Sequence, residues 1–181
     1  ELKEARSLDE AMQAISETPD GPFDLVLLLD CTGSMGRWIE ESKKKLIAIT
    51  EQISCWFPEG ADGLRVGFVA YRDINDSGQY VVVDPTSKYD DVLEVINAQY
   101  ASGGGDTPED IAGAFHKVLQ LPLREEATKL VVHICDAPCH GKRYHSADDT
   151  YPNGDPEGRD PEQLLAQMAA RGIDYVLFDV D

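Results

Sequence analysis

The stretch FDLVLLLDCTGSMGRWIEESKKKL, from Phe23 to Leu46, decides how the rest of the chain is interpreted. Its first eight residues form an apolar run that ends at Asp30, and such runs are typical of strands covered by helices on both faces. Thr32 and Ser34 then alternate with small residues ahead of a predicted helix over residues 36–57. The pattern predicts that three oxygen-bearing side chains meet at the C-terminal tip of one buried strand.

Strands and helices alternate along the rest of the sequence. Strands are predicted at 63–71, 79–84, 128–137 and 173–181, and helices at 88–98, 109–119 and 161–171. Alternation of this kind predicts an α/β fold, with a doubly wound, mostly parallel sheet and helices on both faces. The connection between residues 71 and 79 is too short for a crossover helix. We therefore expect the 79–84 strand to run antiparallel at one edge.

A length of 181 residues predicts one domain. Residues 1–17 have apolar side chains at helical spacing, and a Pro/Gly-rich segment follows them. We expect an N-terminal helix and linker over residues 1–22 and the α/β domain over residues 23–181.

The charge of the chain restricts its partners. With 34 acidic and 16 basic residues, the formal net charge is −18, which disfavours binding to nucleic acid or to an anionic membrane. No apolar run approaches the roughly 20 residues that a membrane span needs, so membrane insertion is not expected. Four sparse cysteines favour free thiols and a cytoplasmic location, with an extracellular one left open. A Cys31–Cys135 disulfide requires that their strands be neighbours.

The polar residues at the predicted strand ends are suited to a hard cation. Asp30, Thr32 and Ser34 offer a carboxylate and two hydroxyls, to which Thr107 could add a hydroxyl and Asp136 a second carboxylate. Oxygen donors suit Mg²⁺ or Mn²⁺ better than zinc. Two carboxylates leave such an ion electrophilic, and a carboxylate from outside the chain is its natural completing ligand.

Three separated elements resemble one known family. DCTGSM, which begins at Asp30, resembles the DxSxS signature of von Willebrand factor A (vWA) domains, where it opens the metal-ion-dependent adhesion site. Gly103–Thr107 is similar to the family's glycine-rich loop with its threonine, and Asp136 is similar to its aspartate after the fourth strand. The resemblance covers about 23–180. The segments VGFVAYRD and GGGDTPED are similar to the branch that includes the vWA domain attached to alpha-kinases.

The resemblance implies roles for these residues. Ser34 would bind the metal directly, Thr107 directly or through water, and Asp30 and Asp136 mainly through water. Thr32 replaces the family's usual serine. Asp106 is either an anchor behind the ligands or a ligand itself.

The resemblance also implies a module that binds proteins without catalysing a reaction. A Glu or Asp of a partner protein would complete the coordination of Mg²⁺ or Mn²⁺, and the isolated domain would be a monomer. Its parent protein could carry a kinase domain. The sequence is also expected to lack the family's final strand and helix.

Two other functions remain open. Asp30 could serve as the nucleophile of a metal-dependent phosphoryl transferase or hydrolase, although Thr32 stands where haloacid-dehalogenase-type enzymes have a second acid. The domain could also be a scaffold with a vestigial metal site.

Side chains outside this set receive simpler interpretations. We expect Arg72 and Asp73 to form a surface pair or to lie behind the ligands, and His140 and His145 to hold the 138–160 loop in place. A zinc site would have to use residues whose spacing fits no standard zinc motif: His133, Cys135, Cys139, His140 and His145.

Overall fold

The computed structural model describes residues 2–4, 21–57 and 63–180, and of residues 2–4 only the backbone. The strands in these ranges are β1 (Leu2–Glu4), β2 (Phe23–Asp30), β3 (Leu64–Tyr71), β4 (Tyr80–Thr86), β5 (Thr128–Cys135) and β6 (Ile173–Asp179). A 3-10 helix spans Gly33–Arg37, and the α-helices are α1 (Ile39–Ser54), α2 (Tyr89–Asn97), α3 (Ile111–Gln120) and α4 (Pro161–Ala170).

The six strands form one sheet in the order β1-β6-β5-β2-β3-β4. All neighbouring pairs are parallel except β3 and β4, which are antiparallel, and β4 lies at the edge. The predicted fold class and the antiparallel edge strand are therefore confirmed. Strand β2 has β3 on one side and β5 on the other, so strand order reverses there. Ligands of such sheets bind outside the carboxyl ends of the strands at this switch point.

Both faces of the sheet are covered, which explains the apolar run in β2. Leu25, Leu27 and Leu29 pack into a core with α1 and α2. Val26 and Leu28 point to the opposite face and pack into a second core with α3 and α4. Because successive side chains of a strand alternate between faces, β2 must be apolar at nearly every position.

The helix predicted over residues 1–17 is wrong at Leu2–Glu4, which form β1 beside β6. The edge of β6 offers backbone hydrogen-bonding groups to an extended segment, and helical spacing cannot exclude so short a strand. The rest of that prediction lies outside the described residues. The edge of the sheet next to β6 is thus occupied by Leu2–Glu4, from the N-terminal part of the chain.

Asp24 is the polar exception in β2 and lies fully buried at the end opposite to Asp30. Arg65 donates to both of its carboxylate oxygens, and Arg124 donates through its backbone N–H and its guanidinium group. These bonds outweigh the effect of burial and lower the pKa of Asp24. The ion pairs join β2, β3 and the segment before β5.

Two boundaries near the predicted site differ from the sequence-based ones. The predicted 36–57 helix is divided into the 3-10 helix and α1. The helix predicted from Glu109 begins at Ile111, because the Asp110 carboxylate accepts the Gly113 N–H and caps it. In the part of the chain described here, no helix is long and apolar enough to cross a membrane.

Candidate metal centre

A chain of hydrogen bonds connects the polar residues that follow β2. The Oδ1 atom of Asp30 accepts the backbone N–H of Thr32 at 2.8 Å and its hydroxyl at 2.7 Å. Thr32 Oγ1 lies 3.2 Å from Ser34 Oγ. The extended backbone of Thr32 (φ −72°, ψ 169°) directs the alternate side chains together. Thr32 forms no side-chain cap of the helix that follows it.

Asp136 joins the same group from the neighbouring strand. It directly follows β5, which pairs in parallel with β2, so both carboxyl ends reach the same edge of the sheet. The Ser34 hydroxyl donates to Asp136 Oδ1 at 2.8 Å across a separation of 102 residues. The fold therefore brings together four of the predicted ligands: Asp30, Thr32, Ser34 and Asp136.

The glycine-rich loop is attached to the tip of β2 by its backbone. The Gly33 N–H donates to the Gly103 carbonyl at 3.0 Å, and the Ser102 N–H donates to the Cys31 carbonyl at 2.9 Å. A Cβ atom on Gly33 would lie 2.8 Å from the Gly103 carbonyl oxygen, and Gly103 itself has a φ of +82°. The close backbone contact requires glycine at position 33, and the positive φ favours glycine at position 103.

The two candidate ligands on this loop have different environments. Thr107 is exposed, and no hydrogen bond among the described residues joins it to the other four. Asp106 is half-buried and accepts the backbone N–H of Thr150. Asp106 thus fastens the glycine-rich loop to the 138–160 segment, and the backbone contacts of the loop hold Thr107 near the β2 tip.

Asp30 is the group that most clearly fits a bound cation. It is fully buried, and its Oδ2 atom has no hydrogen-bond partner within the described ranges. Burial raises the pKa of Asp30 to about 7, the hydrogen bonds from Thr32 oppose this, and the charge of Asp136 adds to it. A buried carboxylate oxygen without a partner is costly. A divalent cation would compensate for it, and the donors are the hard oxygens that Mg²⁺ and Mn²⁺ prefer.

Sequence reasoning missed Glu109, which is 2% exposed beside the same group. Burial raises its pKa to about 10, and the nearby charges of Asp30 and Asp73 contribute. Its Oε2 atom has no hydrogen-bond partner among the described residues. The sequence predicts Glu109 only as the first residue of a helix. Its position directly before the cap Asp110 is the signal that could have located it.

His140 connects the 138–160 segment to the end of β3, which confirms the role expected for it. Its Nε2 atom lies 2.7 Å from Asp73 Oδ1, and its Nδ1 atom lies 2.8 Å from Asp149 Oδ1. Burial opposes protonation, but the two carboxylates outweigh it and raise the pKa of His140 to about 8. His145 lies 3.2 Å from Asp149 Oδ2.

The expectation of an Arg72–Asp73 surface pair is wrong, since these residues are only 4% and 7% exposed. The guanidinium group of Arg72 donates to the Ser102 hydroxyl and to the carbonyls of Gly78 and Tyr100. Ser102 directly precedes the glycine-rich loop, and Arg72 directly follows β3. Arg72 therefore holds the start of that loop against the end of β3.

The other residues considered for zinc are engaged elsewhere. His133 is fully buried in mid-strand and lies between two tyrosine hydroxyls, 2.9 Å from that of Tyr71 and 2.6 Å from that of Tyr175. Burial lowers the pKa of His133 to about 3. Cys135 and Cys139 are free thiols, as are the other two cysteines.

Comparison with known proteins identifies the family. The model of the von Willebrand factor type A domain matches residues 24–181. The alpha-protein kinase vwkA of Dictyostelium discoideum is 33% identical over 153 residues, which are 84% of this chain and 24% of that protein. The chain therefore spans about a quarter of the length of this curated relative.

Solved structures agree at the level of the fold. The VWA domain of SpRpn10 superposes with a TM-score of 0.58 at 15% identity, covering 86% of this chain and 74% of that one. The pilus adhesin SpaC from Lactobacillus rhamnosus GG gives 0.60 at 12% identity, covering 87% and 24%. From the matched family model, the alpha-kinase relative and the shared fold, the chain belongs to the von Willebrand factor type A domain family.

Proposed function

We propose that this domain binds a partner protein through a divalent cation, Mg²⁺ or Mn²⁺, held at the tips of β2 and β5. Von Willebrand factor type A domains mediate protein–protein interactions and often bind a divalent metal. The single observation that carries the proposal is the buried Asp30 carboxylate, whose Oδ2 atom has no partner in the described structure.

The ligand set follows from the hydrogen-bonded group. Ser34 Oγ would bind the cation directly, and Asp30 and Asp136 would hold it mainly through water. Thr32 keeps Asp30 in place, because it occupies the other carboxylate oxygen with two hydrogen bonds. Thr107 would be the adjustable ligand, since its side chain is exposed and no hydrogen bond among the described residues joins it to Asp30, Ser34 or Asp136. Asp106 would act as an anchor, because it accepts the Thr150 N–H.

The cation would supply an exchangeable, electrophilic coordination position at the surface. Two carboxylates that act largely through water leave most of its charge uncompensated, so a Glu or Asp of the partner is the natural sixth ligand. The net charge of −18 repels an acidic partner at a distance. The local cation would dominate within roughly 10 Å, the screening length at moderate salt.

An enzymatic alternative has weaker support. Asp30 as a phosphoryl-transfer nucleophile would need a general acid two residues later, and Thr32 there is fully buried and donates to Asp30 itself. A scaffold with a vestigial site remains the second alternative. It predicts partner binding that does not depend on metal.

The setting of the domain is also part of the proposal. Four free cysteines support a reducing, cytoplasmic location. Similarity to an alpha-protein kinase supports a parent protein that carries a kinase domain, with this domain as a monomeric, non-catalytic recognition module.

The test is capture of partners by the immobilised domain with Mg²⁺, with a chelator, and with Ser34→Ala in Mg²⁺. We expect the same proteins to be retained only by wild type in Mg²⁺, and to be displaced by a short Glu-containing peptide. Ser87→Ala changes an exposed serine outside the site and serves as the matched control. Equal capture under all conditions would mean that contact is made through another surface.

A further inference from the structure

A second cluster of ligand atoms lies where three segments of the chain meet. Asp73 follows β3, Asp106 belongs to the glycine-rich loop, and His140 belongs to the segment after β5. One ligand atom from each residue lies within 4.8 Å of the others. Asp73 and His140 are only 7% and 4% exposed. These side chains are therefore withdrawn from water, unlike an ordinary surface group of acids.

His140 is oriented by a carboxylate on its far side. Asp149, whose side chain is fully buried, faces Nδ1 of His140 and accepts the backbone N–H groups of Gly141 and Tyr151. Metal-binding histidines usually donate their second ring nitrogen to such a carboxylate, which fixes the tautomer and the ring. The opposite atom, Nε2, lies 2.7 Å from Asp73 Oδ1, so a cation bound there would replace the proton that the two groups share.

Asp106 provides the independent sign of a missing ligand. Its Oδ2 atom accepts the Thr150 N–H, but its Oδ1 atom is inaccessible to water and has no hydrogen-bond partner in the described ranges. Asp73 Oδ1 accepts the Ile74 N–H and meets Nε2 of His140. Two carboxylates and one imidazole thus converge, and a divalent cation would replace the proton between His140 and Asp73 and compensate the charge of both carboxylates.

We propose that Asp73, Asp106 and His140 form a second cation site, distinct from the one at Asp30, Ser34 and Asp136, and that it binds Zn²⁺. An imidazole nitrogen with two carboxylates is a donor set suited to zinc, whereas Mg²⁺ favours oxygen ligands and retains its waters. Zinc bonds of about 2.0–2.2 Å place neighbouring ligand atoms roughly 3.3–3.6 Å apart. His140 Nε2 and Asp73 Oδ1, now 2.7 Å apart, would therefore have to separate, and binding would shift the segments that carry them.

The second site has a consequence for the first, because Asp106 directly precedes Thr107. Zinc at the second site would restrain the glycine-rich loop that carries Thr107, and so reduce its freedom to move toward or away from a cation at Ser34. This consequence rests on the proposed function, but the zinc site itself does not.

The experiment measures Zn²⁺ affinity by competition with a chromophoric chelator, in millimolar Mg²⁺ to occupy the first site. We expect one zinc per chain in wild type, and at least about a tenfold loss of affinity in Asp106→Asn and in His140→Gln. His116→Gln, which changes a histidine bonded to Gln120 on α3, should bind zinc as wild type does. Ser34→Ala should retain zinc as well, which separates this site from the first.

Two further measurements make the result decisive. Circular dichroism establishes that each variant is folded, and Asp106→Asn keeps the shape of the side chain if His140→Gln fails to fold. X-ray absorption at the zinc edge should show nitrogen and oxygen neighbours with one imidazole. Unchanged affinity in the Asp106 variant, a sulfur neighbour, loss of zinc in Ser34→Ala, or no zinc in wild type would each overturn the proposal.

Discussion

Asp30→Asn should change stability in opposite directions without and with Mg²⁺. The carboxylate is fully buried and has a pKa of about 7 in place of 3.8, so its ionisation opposes folding. The unfolded chain releases this proton near pH 3.8 and the folded chain near pH 7. The cost is therefore complete above pH 7 and disappears as the pH falls toward 3.8. At about 1.4 kcal/mol per pH unit, the complete cost is about 4 kcal/mol.

The asparagine removes this charge and keeps the oxygen that accepts from Thr32. Its amide nitrogen replaces Oδ2, which has no partner, and this costs about 1–3 kcal/mol. The net effect at pH 8 in chelator is a free energy of unfolding about 2 kcal/mol higher in the variant than in wild type. For a domain of this size, this raises the melting temperature by about 4–8 °C. Mg²⁺ at a hundredfold excess over Kd should stabilise wild type by about 2.7 kcal/mol and leave the variant unchanged, so their order reverses.

Thermal melts at pH 8 and pH 5, in chelator and in Mg²⁺, measure this difference. At pH 5 in chelator the advantage of the variant should vanish, because only about 2 kcal/mol of the ionisation cost remains and the unpartnered amide costs about as much. Asp84→Asn changes an exposed aspartate of β4 and is the matched control, with no expected crossover. A variant that melts below wild type at pH 8 in chelator, or that gains equally from Mg²⁺, would refute the reasoning about the buried charge.

Three other substitutions or conditions test the rest of the fold and the loop. Asp24→Ala should lower the free energy of unfolding in urea by about 3–5 kcal/mol, because two arginines lose a buried partner; a loss below about 1 kcal/mol would contradict this. Gly103→Ala should lower the free energy of unfolding by at least about 1–2 kcal/mol and weaken Mg²⁺ binding, because φ is +82° and the new Cβ would lie 2.1 Å from Asp76 Oδ2. Gly105→Ala places its Cβ in open space, so calorimetry and thermal melts should show no change in that control. Burial lowers the pKa of His133 to about 3, so between pH 7.5 and 5.5 only the unfolded chain binds a proton at this residue. This group should therefore lower the free energy of unfolding by about 1.4 kcal/mol over that pH range. Replacement by Gln should remove this part of the dependence of stability on pH.

The sheet and the group at its switch point were predictable because they follow from local patterns. The apolar run of β2 requires cover on both faces, and a parallel neighbour brings the residue after β5 to the same edge. The short return before β4 permits only an antiparallel pair. Asp30, Thr32, Ser34 and Asp136 therefore meet as the strand ends predict.

Contacts between distant segments were not predictable in this way. Asp24 is an ordinary strand-start aspartate in the sequence, and its two arginines lie 41 and 100 residues away. The cluster around His140 joins residues 67 apart, and no local period marks such a pair. The strand at Leu2–Glu4 was missed because three residues are too few to establish a period, and its pairing depends on the edge of β6.

The central claim is that a divalent cation binds at the tips of β2 and β5. Crystals soaked in Mn²⁺ test it most directly, because the anomalous signal of manganese locates the ion without assumptions about its ligands. We predict a strong peak next to Ser34 Oγ, with Asp30 and Asp136 around it and bound mainly through water, and no peak there in crystals of Ser34→Ala. Density for manganese only elsewhere in the molecule, or an unchanged peak in the variant, would contradict the account.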